Sequence, residues 1–452
     1  MKDKRNPIRP LAKRGARTSA LCFATLHLML SLACAQSSRN ASPQPSSAAQ
    51  ASPSQQRTSP SSSASNTIAP LAHYEITPAS LPAPNATEDA VNPPQVVARP
   101  EGARLNMPAG FKAETFAEGG FKRLRWVTVA PNGDVFVADS EAGQIIILRD
   151  KNRDGVAEER FTFASGLKQP FGMAFWRDYF YVGNTDAVVR FRYQPGQTQA
   201  VGQPEQIADL PGRGYREHWT RNLEFNPQGT KLYVTIGSQS NVDAEPEPRA
   251  SILEMNPDGT NRRTFALGTR NPIGLAFNPT TKRLWSAVQE RDRLGDDLVP
   301  DFVTEIRDGG FYGWPFSYVG QNIDPRRRGE RSELVQRAIV PDVLIQAHSA
   351  VLGLAFYTGN MFPAEYRGDA FVALHGSWNR SKRTGYKIIR IKFREGKPVG
   401  GYDDFLTGWM LGEDREEVWG RPVGLAMLAD GSMLITDDGT NKIWRVTYTG
   451  RK

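Results

Sequence analysis

Cysteine is almost missing: the 452-residue chain has two, Cys22 and Cys34. Beyond position 34 there is neither a disulfide nor a thiolate metal site, and no C-x-x-C-H haem motif. Histidine is scarce as well, with five residues. No 3.6-residue apolar stripe of useful length recurs, which excludes a fold built on amphipathic helices. An apolar run fit to cross a membrane is also lacking. The stretch Thr18 to Ala33 is short and is broken by small polar residues and His27. The positive charge is concentrated at the start. Seven basic residues against Asp3 precede residue 18, so +6 of the net +8 lies there and +2 remains for the rest. A nucleic-acid footprint therefore has no support, and no nucleic-acid partner is expected.

What the chain does have begins with a targeting segment. A basic run followed by a modest apolar stretch reads as a signal peptide over residues 1–35. Ala33-Cys34-Ala35 offers a cleavage site before Gln36. Lipidation of Cys34, giving a membrane tether, is the alternative, although Ser31 stands where a lipobox prefers Leu. Either reading exports the protein to the periplasm or cell envelope. Residues 37–70 are Ser/Pro-rich and lack the apolar surface to offset chain entropy. Residues 36–103 as a whole read as a disordered linker followed by an extended, poorly ordered lead-in.

The remainder, 104–452, has an all-β texture. A loose unit recurs six times, as an apolar run, an Asn/Asp/Gly/Pro turn and a second apolar run: 126–139, 172–184, 222–237, 274–288, 353–374 and 424–437. With the strand-like segments between them, the copies predict a six-bladed β-propeller of four-stranded blades. A β-sandwich is the alternative.

In a propeller, the loops leading into the innermost strands converge on one mouth. Here they carry Lys168 and Gln169, then Arg216, Glu217, His218 and Arg221, then Arg270 and Asn271, then His348, and last Arg421. Arginines with neutral histidine suit an anionic planar ligand and a proton acceptor near neutral pH. The loop 289–297 adds Glu290, Asp292, Asp296 and Asp297, hard oxygen donors of the kind Ca²⁺ takes. The plainer alternatives are a solvated loop and structural histidines.

The motifs HWTRN, RNPIGLAF, QERDRLGDDL, DGGFYGWP and GRPVG, in this order and spacing, resemble the soluble quinoprotein sugar dehydrogenases. The sorbosone dehydrogenase-like branch of the glucose/sorbosone dehydrogenases is the nearest in pattern, over about residues 104–450. The resemblance implies a propeller that binds pyrroloquinoline quinone (PQQ) and Ca²⁺ and oxidises an aldose or related sugar aldehyde or hemiacetal. It implies His218 as catalytic base with Glu217 beside it. Arg270 and Asn271 would lie next to the quinone, with Arg421 on a quinone carboxylate and Gln169 a weaker quinone contact. His348 is taken as a substrate-side residue. Glu290 and Arg291 fall where two backbone carbonyls hold Ca²⁺, with Asp296 or Asp297 adding side-chain ligands. The family's quinone-contacting Lys is absent, and His375 stands in its place ahead of an insertion, GSWNRSKRTG (376–385). Without a haem motif, electrons must pass to an external acceptor, a quinone or a cytochrome. A non-enzymatic propeller gripping a glycan or protein, and a lactonase-like hydrolase, remain the competing readings.

Overall fold

The computed structural model describes residues 71–212 and 218–450. The signal peptide, Cys34, the Ser/Pro linker to residue 70, and Arg216 with Glu217 lie outside the described residues.

Six antiparallel sheets surround one axis. Blade one is Leu124–Val129, Val135–Asp139, Gln144–Arg149 and Glu159–Ala164. Blade two runs Met173–Trp176, Tyr179–Gly183, Ala187–Arg192 and Glu205–Asp209. Blade three runs Leu223–Phe225, Leu232–Ile236, Ser251–Met255 and Arg263–Leu267, with Gly310–Phe311 added in parallel at its edge. Blade four is Asn271–Phe277, Leu284–Gln289, Asp301–Glu305 and Val343–Ile345. Blade five is Val351–Phe356, Ala370–Leu374, Lys387–Ile391 and Tyr402–Leu406. Blade six is Pro422–Met427, Met433–Asp437 and Lys442–Tyr448, and its outer strand, Phe111–Glu118, comes from before blade one. The six-bladed expectation holds, and this last pairing closes the ring by tying the front of the propeller to its end.

The recurring glycine of the repeat has a steric cause. The innermost strands of neighbouring blades pack directly against one another around the axis. A Cβ on Gly274 would lie 2.6 Å from the Leu352 carbonyl, and one on Gly353 would lie 2.5 Å from that of Val423. Blade three has Asn222 at the start of this strand instead, and its Nδ2 donates to the Ile273 carbonyl at 2.8 Å. Apolar cores fill the spaces between blades. Between blades one and two, Phe136 meets Phe163, Phe175 and Phe180 with ring centroids 5.2, 5.0 and 4.9 Å away. Truncating so enclosed an aromatic to Ala typically costs about 3–5 kcal/mol.

The expectation of a poorly ordered lead-in is corrected for residues 71–103. This segment is extended, but it is bound along the propeller. His73–Tyr74 adds a strand to blade five, opposite Asp403 and Tyr402, and Tyr74 stacks on Tyr402 at 4.9 Å. Asn85 donates its N–H to the Leu294 carbonyl at 2.8 Å, and Gln95–Val96 pairs in parallel with Glu417–Val418. A proline-rich chain has little apolar face of its own, but free backbone groups along a propeller edge can hold it.

Candidate functional site

The loops preceding blades three to five, together with the 376–385 insertion, enclose a cavity of about 710 Å³. Among the sequence-predicted residues, His218, Arg270, Glu290, Asp292 and His348 line it.

His218 stands just before blade three with φ +45°, and the absence of a side chain on Gly237 leaves it room. Its Nδ1 is 3.0 Å from both the carbonyl and the hydroxyl oxygen of Ser238. That hydroxyl donates to the Ser240 carbonyl at 2.7 Å. A carbonyl can only accept, so the network assigns the proton to Nδ1 and leaves Nε2 as an acceptor. Burial, reinforced by the charge of Arg270, holds His218 well below the ordinary imidazole range. The ring is therefore a neutral base with a fixed tautomer.

Arg270 is buried and fully directed. Its Nη1 donates to the Glu290 carbonyl at 2.6 Å and its Nε to the Asn241 carbonyl at 3.2 Å. Nη2 bridges Asn241 Oδ1 at 3.0 Å and Asp292 Oδ2 at 2.9 Å. Asn271 donates to Gln289 Oε1 at 2.9 Å, and Gln289 in turn donates to the Val351 carbonyl at 3.0 Å. This chain fixes the Asn271 amide and leaves its Oδ1 without a partner among the described residues.

Glu290 is positioned differently from the sequence expectation. Its carbonyl is taken by Arg270, whereas its carboxyl lines the cavity, with Oε2 accepting the Arg291 N–H at 3.0 Å and Oε1 without a partner among the described residues. Burial pushes this carboxyl up to about 8. Asp301 lines the same corner, accepts the Glu290 N–H at 2.9 Å and is pushed by burial up to about 7. Arg291 turns its guanidinium away, onto Asp324 at 2.5 Å and the carbonyls of Asp292 and Arg293. Asp296 and Asp297 do not line the cavity. Both oxygens of Asp296 accept from Ser381, and Asp297 pairs with Arg380 at 2.7 Å.

His348 is braced at both nitrogens. Nε2 donates to the Gly295 carbonyl at 2.9 Å, and Nδ1 accepts from Asn379 at 3.2 Å. The same Asn379 Nδ2 lies 2.8 Å from Asp292 Oδ1. His375 and Arg421 belong to a neighbouring cluster. His375 Nε2 donates to Asp438 Oδ1 at 2.8 Å, and Arg421 Nη2 donates to His375 Nδ1 at 3.0 Å. Burial and then Arg421 push His375 down to about 3. Against the upward effect of burial, His375 and Arg125 hold Asp438 well below the usual carboxylate range. Arg125 lies 5.5 Å from the Trp219 ring, and Trp219 lines the cavity, so the two clusters adjoin. Gln169, at φ +48°, accepts from Thr185 at 3.4 Å and does not line the cavity.

Asn241, Asp301, Trp378 and Asn379 are additional lining residues. Asp301 had a sequence signal, an acid opening the buried strand DFVTE. Asn241 sits in a polar loop and had none.

The glucose/sorbosone dehydrogenase family model matches residues 179–378, and a TrAA12-like model matches residues 321–449. An uncharacterized protein of Borreliella burgdorferi is 31% identical over 358 residues, covering 76% of this chain and 91% of that protein. The aldose sugar dehydrogenase YliI of Escherichia coli is 32% identical over 172 residues, 34% of this chain and 44% of its own length. In fold, the PQQ domain of the Coprinopsis cinerea pyranose dehydrogenase in its holo form superposes with a TM-score of 0.65 at 19% identity, covering 79% of this chain and all of that domain. The span 179–378 that matches the glucose/sorbosone dehydrogenase model carries His218, Arg270, Glu290 and Asp301 and all but Asn379 of the residues that line the cavity.

Proposed function

We propose that this chain is an exported, PQQ- and Ca²⁺-dependent dehydrogenase acting on an aldose or related sugar aldehyde or hemiacetal. The observation that carries the reading is His218: a neutral imidazole with Nδ1 committed and Nε2 without a hydrogen-bond partner among the described residues, at the wall of a polar cavity beside Arg270.

The residues present fit both groups. Glu290 Oε1, without a partner among the described residues, and the Asp301 carboxyl line one side of the site, hard oxygen donors of the kind that suits Ca²⁺. Arg270, together with Arg421 in the adjoining cluster, supplies fixed cationic donors for a carboxylated quinone. When bound, PQQ supplies a two-electron hydride acceptor and Ca²⁺ polarises it as a Lewis acid.

The chain's own groups do the rest. As hydride leaves the anomeric carbon, the hydroxyl proton on that carbon passes to His218 Nε2, a general-base contribution of about 10² to 10⁴-fold. Ser238 holds the tautomer that makes Nε2 the acceptor. Asn241 and Asp292 hold Arg270 against rotation, so its charge is oriented before substrate arrives. In this reading an external quinone or cytochrome would be the final electron acceptor. The same reading takes residues 1–35 as an export signal, with Cys34 removed or lipidated as a membrane tether. No helix among the described residues is long and apolar enough to cross a membrane.

Protein reconstituted with PQQ and Ca²⁺ should show the absorbance change of quinone reduction on adding an aldose. An unchanged spectrum across a panel of aldoses and sugar aldehydes would reject the dehydrogenase reading.

A further inference from the structure

The 376–385 insertion joins the second and third strands of blade five and is held far more firmly than a surface loop requires. Ser381 and Arg380 fasten it to Asp296 and Asp297. Arg383 donates to Asn92 Oδ1 at 2.7 Å, and the Asn92 N–H donates to the Trp378 carbonyl at 2.7 Å. The carboxylates expected to hold metal are thus spent on anchoring this loop, and so is the bound lead-in segment.

That anchoring presents two side chains to the cavity, Trp378 and Asn379. Asn379 is buried and hydrogen-bonded to Asp292 and His348. Trp378 is the opposite. At 42% it is the most exposed tryptophan among the described residues, although it lines the cavity. An indole left in water at a cavity wall, on a loop braced by ion pairs, forgoes burial that would otherwise stabilise the fold. A face of this kind is used by a ligand that is itself amphipathic. A pyranose ring has one: axial C–H groups form an apolar face that fits the electron-rich indole surface, while its equatorial hydroxyls need polar partners. Asn379 and Asp292 line the same cavity and offer polar groups to it.

We propose that Trp378 is the platform on which the pyranose ring of the substrate stacks, and that the insertion selects ring sugars over small open-chain aldehydes. The proposal rests on the dehydrogenase reading above and names its substrate class. Trp378 is a specificity residue here, because it contacts the ring and not the reacting carbon's proton.

The test uses the full chain reconstituted with PQQ and Ca²⁺, with D-glucose and D-xylose as pyranose probes and glyceraldehyde as the ring-free probe. Trp378→Ala should raise KM for the pyranose probes about tenfold with kcat within about twofold, and should leave glyceraldehyde unchanged. Trp378→Phe should recover most of the loss. Equal KM changes for both probe classes, or none, would overturn the platform. An independent readout is tryptophan emission. Methyl β-D-glucopyranoside, which lacks a free anomeric hydroxyl, should shift the emission of the wild type but not of Trp378→Phe. A sugar-dependent shift without any quinone reduction would sink the dehydrogenase reading and leave the platform standing. Reduction with no dependence on Trp378 in KM or emission would do the reverse. Because the side chain is half exposed, both variants should fold, and unchanged thermal unfolding checks this.

Discussion

The Asp301 carboxylate accepts the backbone N–H of Glu290 at 2.9 Å, so one hydrogen bond ties two buried acids to the same corner of the cavity. Burial raises both, Glu290 to about 8 and Asp301 to about 7. Two acids that keep their protons well above the usual carboxylate range, one of them with an oxygen that has no partner among the described residues, are matched to a cation that would displace those protons.

A pH dependence follows with a definite sign. Each acid's folded pKa lies above its ordinary value, 4.5 for Glu290 and 3.8 for Asp301. Their contribution to stability is therefore full below about pH 4 and is lost as pH rises through 7 to 8. Metal-free protein should lose thermal stability from pH 5 to pH 8.5, and saturating Ca²⁺ should cancel most of that loss. Ca²⁺ affinity should rise over the same interval, with proton release measurable by titration in buffers of different ionisation enthalpy. Superimposable unfolding profiles with and without Ca²⁺ would remove both acids as ligands.

Asp296 has a separate role. Its carboxylate holds Ser381, and its own N–H is held by Thr87 Oγ1 at 2.7 Å. Asp296→Ala should lower thermal stability and free the 376–385 loop to proteolysis, while Ca²⁺ affinity stays within about threefold. A tenfold or greater loss of Ca²⁺ affinity would restore Asp296 as a ligand.

The contrast between Asp296 and Asp301 shows where sequence is readable and where it is not. Both are acids near one loop, and the loop's charge density pointed to Asp296. Which acid faces the cavity depends on what its neighbours bond, and Ser381 is distant in sequence. The blade repeat was legible because it is local: the glycine of GLAF is fixed by the close approach of adjacent innermost strands, a constraint that recurs in the chain. His218 and Arg270 were legible because they precede innermost strands, where position follows from topology. The 71–103 segment was not, because backbone bonds to another element's edge leave no mark on composition.

Arg421 should affect the cofactor before the chemistry. It donates to His375 Nδ1 at 3.0 Å and is one of the cations that hold His375 neutral. We expect Arg421→Ala to weaken PQQ binding at least about tenfold, since it removes a charge-assisted donor, while the reduction rate at saturating PQQ changes little. A PQQ titration followed by absorbance measures the first, and a wild-type titration curve would show that Arg421 serves only the His375–Asp438 cluster.

His218 gives the sharpest expectation, because its tautomer is fixed by Ser238 and its basic nitrogen faces no protein donor in the hydrogen-bond network described. His218→Gln should keep PQQ binding and lower the rate of quinone reduction by sugar by at least about 10²-fold, the usual loss for a general base. The pH profile adds a readout that a structural role would not move. Burial and Arg270 depress His218, so the ring stays neutral below its ordinary value of 6.5. The wild-type reduction rate should therefore hold as pH falls from 8 through 6.5, without the loss that an unperturbed imidazole base would show. Ser238→Ala removes one of the two oxygens at Nδ1 and should cost less than His218→Gln, since the carbonyl still accepts. Stopped-flow reduction of bound quinone at saturating PQQ and Ca²⁺ decides the matter. A wild-type rate in His218→Gln would strip it of the base role, and with both nitrogens of His348 committed to Gly295 and Asn379, the proton would then have to leave through Asp292.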